Sequence, residues 1–321
     1  MKLLVTGSTG FVGQALISQL MNFTNYKVYA AVRKIVTIFP AEVVQIKFEG
    51  LSPITDWCNH LEGVGCVIHT AAHVHVMPMA FTNHLNDFRD INAKATLNLA
   101  TQAVASGVNR FIYLSSIKVN GEVTLPGCPF TAIGTFVPTD PYALSKHEAE
   151  EGLLRLAKET NMEIVIIRPP LVYGEGVKAN FLSMMKWVHR GTPLPLGAIH
   201  NRRSLVAMDN LVSFIIHCIE HPKAANEIFL ISDGEDVTTT MLLQKVAKAF
   251  GKKALLLPVP VNLMRLVAKL LGKGDVADRL FGSLQVDSSK AHNLLGWQPV
   301  ITMDEQLKKT VDRYLENEKT L

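Results

Sequence analysis

The segment that decides the fold is Lys2-Leu3-Leu4-Val5-Thr6-Gly7-Ser8-Thr9-Gly10-Phe11-Val12-Gly13. It begins as an apolar run of the length of a buried strand, carries glycines at regular intervals, and continues into a helical pattern. Glycine permits a tight turn close to a pyrophosphate, which the free N–H groups of the following helix would bind. The spacing is GxxGxxG rather than the commoner GxGxxG, so a turn without a ligand is the alternative. We predict a dinucleotide site formed by Gly7, Thr9, Gly10, Phe11, Val12 and Gly13.

Strand-like and helical patterns alternate outward from this segment through most of the chain. The strand-like runs are continuously apolar, which is typical of a parallel sheet covered by helices on both faces. The predicted strands are Lys2–Thr6, Lys27–Val32, Val43–Phe48, Cys66–His69, Arg110–Ser115, Glu163–Arg168 and Ile228–Ser232, and the predicted helices are Val12–Met21, Ala93–Ser106, Ser145–Thr160 and Leu211–His221. This order predicts an α/β fold, a Rossmann-like doubly wound parallel sheet of about seven strands with a smaller, mainly helical C-terminal substrate domain.

Length and composition fit such a two-domain protein. The chain has 321 residues, of which 48% are hydrophobic and 19% charged, which excludes an intrinsically disordered protein. The net charge of +4 is small and the basic residues are scattered, so we expect no nucleic-acid partner. The strand pattern weakens after residues 168–170. We expect residues 1–170 and 204–235 to bind the cofactor, and residues 171–203 and 236–321 to form the substrate domain.

Several features predict a cytoplasmic protein. The chain begins with a strand-like run rather than a secretory signal, and its apolar stretches are too short to span a bilayer. The four cysteines form no CxxC pair, so we expect buried, reduced thiols. Residues 258–271 form a basic amphipathic helix, for which we favour packing on the protein's own core over binding to a membrane surface.

The end of the second predicted strand bears on the choice of cofactor. Enzymes that select NAD place an acidic residue about 20 positions after the glycines, where it binds the ribose 2′-hydroxyl. This chain has Arg33 and Lys34 there and no acidic residue. Two cations would bind the additional phosphate of NADP, although a solvated strand end has the same pattern. The sequence therefore favours NADP(H), with NAD(H) as the alternative.

A tyrosine and a lysine predict acid–base chemistry. Tyr142 and Lys146 are four residues apart in a segment that opens a helix, and therefore share one helical face. A phenol is a poor acid or base at neutral pH, but a neighbouring ammonium favours the phenolate and lowers the phenol pKa. Ser116 follows the fifth predicted strand, at the carboxyl edge where such sheets bind ligands. We predict that Ser116, Tyr142 and Lys146 are catalytic.

The fourth predicted strand ends in His69-Thr70-Ala71-Ala72. Small residues at this edge would let a cofactor pass, so we assign Ala71 and Ala72 to its site. The nearby imidazoles His69, His73 and His75 lack an accompanying acidic cluster, and we predict no metal site.

In order and spacing, the motifs TGxxGxxG, HxAA, LSS and YxxxK resemble those of the extended short-chain dehydrogenase/reductase superfamily. Over nearly its whole length the chain is similar to the NAD-dependent epimerase/dehydratase family. Segments 116–122, 168–174 and 295–299 look like those of bacterial enzymes that act on nucleotide sugars for surface polysaccharides. The resemblance implies a UDP-sugar substrate and a homodimer. It also implies that Ser116 and Tyr142 flank the sugar C4 oxygen and that Lys146 binds the nicotinamide ribose.

The same resemblance implies roles for four further residues. Asn92 would support the active-site helix within the cofactor site, and Asn180 would contact the UDP phosphates. Arg203 resembles the family's diphosphate-binding arginine, and a diphosphate requires such a cation. Arg279 is a looser candidate for a second one, with an ordinary surface arginine as the alternative.

This sequence departs from the family pattern at three places. Ile117-Lys118 stand where the 4,6-dehydratases have an Asp-Glu pair, which argues against dehydration. Arg33 replaces the acidic residue of NAD-bound epimerases. Gly50, with Glu49 beside it, stands where the family aspartate contacts adenine, so we do not assign that contact.

Three functions remain open from the sequence. The favoured one is a 4-ketoreductase that uses NADPH on a UDP-4-keto-6-deoxy-HexNAc, with Tyr142 donating the proton and Ser116 stabilising the developing oxyanion. The alternative is a UDP-hexose or UDP-HexNAc 4-epimerase, which retains NAD, oxidises C4 and returns the hydride to the opposite face. The third, a catalytically silent NADP(H)-binding regulator, disagrees with the intact set of catalytic side chains. Arg33 decides the preference for the reductase.

Overall fold

The structure, a computed structural model, describes residues 1–74, 84–134, 136–272 and 274–319, without the side chains of His84, Asp275, Val276 and Arg279. The strands are β1 (Lys2–Thr6), β2 (Lys27–Val32), β3 (Val44–Lys47), β4 (Val64–His69), β5 (Arg110–Leu114), β6 (Glu163–Arg168), β7 (Leu171–Tyr173), β8 (Arg203–Ala207), β9 (Glu227–Leu230) and β10 (Asp236–Val237). The helices are α1 (Phe11–Leu20), α2 (Cys58–Leu61), α3 (His84–Phe88), α4 (Ala95–Ala105), α5 (Pro141–Glu159), α6 (Ala179–His189), α7 (Met208–Glu220), α8 (Thr239–Ala249), α9 (Val261–Leu270), α10 (Gly274–Phe281), α11 (Ser289–Leu295) and α12 (Met303–Lys319). Within the described part of the chain, no helix is long and apolar enough to cross a membrane.

Seven strands form one parallel sheet in the order β3-β2-β1-β4-β5-β6-β9. The order reverses between β1 and β4, which is the point where a doubly wound sheet opens a ligand crevice at its carboxyl edge. All seven predicted strands are present within two residues of their expected bounds. The prediction of a Rossmann-like α/β fold is confirmed.

Apolar side chains cover both faces of this sheet. One face packs against α1 and α7 through a cluster that includes Leu16, Leu211 and Phe214, and the other packs against α4 and α5 through Leu99 and Leu153. Because the inner strands β1, β4, β5 and β6 are buried on both faces, their sequences are mostly continuous apolar runs rather than alternating ones, whereas the edge strand β3 has no buried residue.

A second, three-stranded sheet has the order β10-β8-β7 and lies with a separate apolar cluster. Helices α6, α8 and α12 contribute Met185, Val246 and Leu307 to this cluster. We expected residues 204–233 to return to the large sheet, but β8 pairs with β7 and β10, and only β9 rejoins the large sheet beside β6. The domain boundaries therefore stay a proposal.

One expectation from the sequence is wrong. Only Cys66 and Cys218 are buried, whereas Cys58 and Cys128 are exposed free thiols.

Helix α9 packs on the protein's own core, as expected for residues 258–271, because Val261 and Met264 contact the apolar cluster of the second sheet. No residue of α9 is fully buried, however, and its other apolar side chains are exposed.

Candidate active site

The glycine loop joins β1 to α1 and is tightly packed. Gly7 has φ +70, and a Cβ added there would lie 2.5 Å from the backbone nitrogen of Ala71. A Cβ on Gly13 would lie 2.2 Å from the Gly7 carbonyl oxygen. The Gly10 N–H donates to that same carbonyl at 2.8 Å and closes the turn. Glycine is required at positions 7 and 13 by these close approaches.

The loop leaves the start of α1 open to a ligand. Gly10 is the N-cap residue and provides no side-chain cap, and Thr9 and Gly10 are exposed. Phe11 and Val12 form the first turn, where backbone N–H groups have no partner within the helix. A helix N-terminus of this kind attracts an anion, so the loop fits the pyrophosphate of a nicotinamide dinucleotide.

Two further parts of the expected cofactor site lie at the same edge of the sheet. Arg33 and Lys34 follow β2 directly and are both exposed, and the Arg33 side chain passes Gly50. Ala71 and Ala72 continue from β4 and are partly exposed beside the glycine loop. The ribose at the adenosine end of a dinucleotide would therefore lie near two cations, Arg33 and Lys34. Neither of these two positions holds an acidic residue.

Ser116 and Tyr142 meet at the carboxyl end of β5. Tyr142 lies in the first turn of α5, and the Ser116 hydroxyl is near enough to its phenol to favour the phenolate. Asp140 caps this helix by accepting a hydrogen bond from the Ala143 N–H at 2.9 Å, so α5 begins at Pro141, four residues before the predicted start. The early start places Tyr142 on the helix.

Lys146 lies one turn further along α5 and is fully buried. Its ammonium donates to the Leu114 carbonyl oxygen at 2.8 Å and lies 4.4 Å from the centre of the Tyr113 ring. Burial lowers the pKa of Lys146 to about 7, although Glu150 favours the charged form. The structure thus brings the three predicted catalytic residues to one place.

The expected depression of the Tyr142 pKa is wrong for this structure. Burial raises the pKa of Tyr142 to about 12, against the opposing effect of the hydrogen bond with Ser116. Asp140 raises the pKa further. The lysine charge can be predicted from the sequence, whereas the burial of the phenol is known only from the structure. At neutral pH the Tyr142 phenol is therefore protonated.

Asn92 links the end of β4 to the active-site helix. Its side-chain amide accepts from the His73 N–H at 2.7 Å and donates to the His73 carbonyl and to the Ser145 hydroxyl, each at 3.0 Å. Asn92 lies in a π-helical turn, Arg89–Lys94, that precedes α4. Such turns are frequent at functional sites. In this structure Asn92 ties the segment after β4 to α5 through its hydrogen bonds with His73 and Ser145.

His69 is a packed structural residue. It is completely buried between two threonines, with Nδ1 2.6 Å from the Thr6 hydroxyl and Nε2 3.0 Å from the Thr96 hydroxyl. Thr96 donates its own proton to the Asn92 carbonyl, so Nε2 of His69 carries the hydrogen and Nδ1 accepts. Burial lowers the pKa of His69 to about 3, which keeps the ring neutral. Among the described residues no group of three potential metal ligands is present, and His75 lies outside them.

The sequence-predicted substrate residues are dispersed. Asn180 is exposed in the first turn of α6. Arg203 begins β8, donates to the Gly282 carbonyl at 3.2 Å, and has its pKa lowered by burial. Arg279 falls within α10, but its side chain lies outside the described residues.

A buried ion pair beneath the site was missed by the sequence reasoning. Arg168, at the end of β6, donates through Nε to Glu150 of α5 at 3.0 Å and through Nη1 to Asn120 at 3.0 Å. The side chains of Glu150 and Arg168 are only 2% and 9% exposed. The pair holds α5 against the end of β6. Glu150 also favours the charged form of Lys146, so the same carboxylate contacts one buried cation and affects the charge of another. Glu150 and Arg168 are 18 residues apart in the sequence, so no short motif indicates that they pair.

Comparison with known proteins shows which family the chain belongs to. The sequence model of the NAD dependent epimerase/dehydratase family matches residues 3–232. A UDP-glucose 4-epimerase of Vibrio cholerae is 48% identical over 315 residues, which cover 98% of this chain and 95% of the relative.

Solved structures have the same fold. A UDP-glucuronic acid 4-epimerase from Bacillus cereus, in complex with NAD, has a TM-score of 0.78 and 21% identity, covering 98% of this chain and 99% of the other. A UDP-N-acetylglucosamine 4-epimerase from Bacillus cereus has a TM-score of 0.78 and 20% identity, with 99% of both chains covered. The chain is an enzyme of the nucleotide-sugar epimerase/dehydratase type and belongs to the NAD-dependent epimerase/dehydratase family.

Proposed function

We propose that this protein is a 4-epimerase of UDP-sugars that keeps its nicotinamide cofactor bound through turnover. The observation that carries the proposal is the 48% identity to a UDP-glucose 4-epimerase over almost the full length of both chains. The sequence motifs favoured a 4-ketoreductase because of Arg33. Arg33 bears on which cofactor binds and not on which reaction follows. The full-length similarity to an epimerase therefore has more weight than Arg33 in the choice of reaction.

The chain's own residues supply the proton chemistry. Bound at the glycine loop, the cofactor would accept a hydride from the sugar carbon and return it. Tyr142 would take the proton of the C4 hydroxyl as the carbonyl forms and give it back as the hydroxyl is restored. Ser116, which lies near the phenol, would hold the same sugar oxygen and stabilise its negative charge.

Proton abstraction needs the phenolate, which the raised pKa of Tyr142 disfavours. Two groups near it can oppose burial: the Ser116 hydroxyl, as a hydrogen-bond donor, and Lys146, as a cation one helical turn away. Lys146 has a pKa of about 7, so near neutral pH it is present in both charge states. We propose that it also binds the nicotinamide ribose, and that Arg203 and Asn180 bind the diphosphate.

Cofactor retention separates the epimerase from the reductase. An epimerase regenerates its cofactor in each turnover, whereas a reductase must exchange the spent cofactor. Protein purified without added nucleotide and then denatured should release close to one equivalent of nicotinamide dinucleotide per chain, measured by chromatography. Protein that releases none, and that binds and exchanges NADPH freely, would favour the ketoreductase.

Arg33 tests a separate part of the proposal, that the site accepts NADP as well as NAD. Arg33→Ala should weaken NADPH binding by about tenfold or more, because one charge-assisted contact to the 2′-phosphate is lost. NADH binding should change by less than about threefold. Titration of cofactor-stripped protein measures both constants, and Lys27→Ala, on the opposite end of β2, is the matched control. Equal losses for the two cofactors would make Arg33 an ordinary surface residue.

A further inference from the structure

Helix α9 has two apolar faces and uses only one of them. Val261 and Met264 pack on the apolar cluster of the second sheet, and Ala268 follows on the same side of the helix. The remaining apolar residues occur at i, i+3, i+4, i+7 and i+8 and therefore line another face. This exposed stripe consists of Leu263, Leu266, Val267, Leu270 and Leu271.

The stripe is unusually exposed for its composition. Leu263, Leu266 and Val267 are 52%, 57% and 47% exposed, and Leu270 and Leu271 are 79% and 67% exposed. Leu255 and Leu257, which precede the helix, are each 53% exposed as well. A contiguous apolar face of this kind on a helix marks an interaction site more often than a neutral surface.

The same segment concentrates positive charge. Residues 250–274 contain five basic residues and no acidic one, and without this segment the net charge of +4 would become −1. At about 100° per residue, Lys269 borders the stripe next to Leu266, whereas Arg265 lies on the opposite side of the helix, and both are exposed. Arg265 is also 3.8 Å from Asp278 of α10, which offsets part of its charge. Charge and apolar surface thus occur together on one short element.

We propose that α9 and the preceding leucines dock on the surface of a membrane that contains anionic lipids. Ten residues of helix extend about 15 Å, half the thickness of the hydrocarbon core, so the helix would lie parallel to the surface. The leucine stripe would enter the boundary of the acyl chains, while Lys269 at its edge contacts lipid phosphates. A second copy of the chain fits less well, because a two-fold contact would bring the basic residues of both copies together.

Vesicle flotation with the full-length protein tests this proposal. The protein should float with phosphatidylcholine vesicles that contain phosphatidylglycerol, less with phosphatidylcholine alone, and less at high salt. Leu270→Glu should reduce the bound fraction about tenfold or more, because it places a carboxylate in the stripe. Ile54→Glu is the matched control, since Ile54 is 91% exposed in a loop of the large-sheet domain. It should bind like the wild type.

A second pair of variants separates charge from folding. Lys269→Glu should weaken binding to the anionic vesicles, whereas Lys158→Glu, on exposed α5 surface, should not. Thermal melting should show that all four variants stay folded. The proposal is wrong if the wild type fails to float, if each variant binds like its control, or if Leu270→Glu only converts a dimer to a monomer.

Discussion

Tyr142→Phe is expected to reduce turnover by roughly 10²- to 10⁴-fold while cofactor binding stays within about twofold. The substitution removes the only atom that carries the proton and leaves the ring in its place against Phe88. Since Tyr142 is half-buried at the start of α5 and the helix cap comes from Asp140, the fold does not depend on the phenol oxygen. The loss should appear in kcat, because the interaction belongs to the transition state.

The control for this variant is Tyr29→Phe, which removes a phenol oxygen from β2 beside Lys2, remote in sequence from Ser116 and Lys146. Its turnover should match that of the wild type. Steady-state rates on a UDP-sugar and fluorescence titration of the cofactor measure the two effects separately. Near-normal turnover of Tyr142→Phe would remove this residue from the mechanism.

Gly7→Ala is expected to abolish cofactor binding and to lower the free energy of unfolding by about 2–5 kcal/mol. Two effects combine. An L-residue is strained at φ +70, and its Cβ would lie 2.5 Å from the Ala71 backbone nitrogen, which cannot move without displacing the wall of the cofactor site. Denaturant unfolding and cofactor titration measure the two losses.

Gly107→Ala separates strain from crowding. Gly107 has φ +76, but an added Cβ there meets nothing within 4 Å. The control should therefore cost only about 1–2 kcal/mol and leave cofactor binding unchanged. Equal effects of the two substitutions on cofactor binding would show that the glycine loop does not hold the cofactor by close approach.

The strands could be predicted from the sequence because their burial on both faces gives a direct signature, an unbroken apolar run. The starts of helices were less accessible. Periodicity alone placed the start of α5 at residue 145, whereas the cap by Asp140 and the proline at 141 set it earlier. Strand β8 was not among the predicted strands, and the second sheet that it forms with β7 and β10 was not foreseen, since a short apolar run does not indicate which strand it pairs with.

Within the site, motifs located Ser116, Tyr142 and Lys146 but not their energetics. The pKa of Tyr142 depends on burial. The pKa of Lys146 depends on burial and on Glu150 of the same helix, which pairs with Arg168 of β6. The apolar face of α9 shows the same limit. Its pattern predicts an amphipathic helix, and only the fold determines that a different face packs on the core.

The preference between reductase and epimerase changed for a physical reason. The Arg33 cation would bear on whether the adenosine ribose carries a phosphate, and it has no bearing on the reaction at the nicotinamide end of the cofactor. Both proposed reactions would use the same tyrosine and serine and would move a hydride between C4 of the sugar and the nicotinamide. The choice between reductase and epimerase therefore depends on whether the substrate is a keto-sugar or a sugar with a C4 hydroxyl. For that choice the full-length similarity to an epimerase is the stronger guide.

The most direct measurement is the conversion of UDP-sugars by purified protein with no added cofactor. UDP-glucose and UDP-galactose, and separately the two N-acetylated counterparts, would be incubated with the enzyme and resolved by anion-exchange chromatography. The proposed function predicts interconversion of at least one pair, reaching the same ratio from both directions. No interconversion of either pair, together with stoichiometric oxidation of NADPH by UDP-4-keto-6-deoxy-GlcNAc, would contradict the epimerase and establish the ketoreductase.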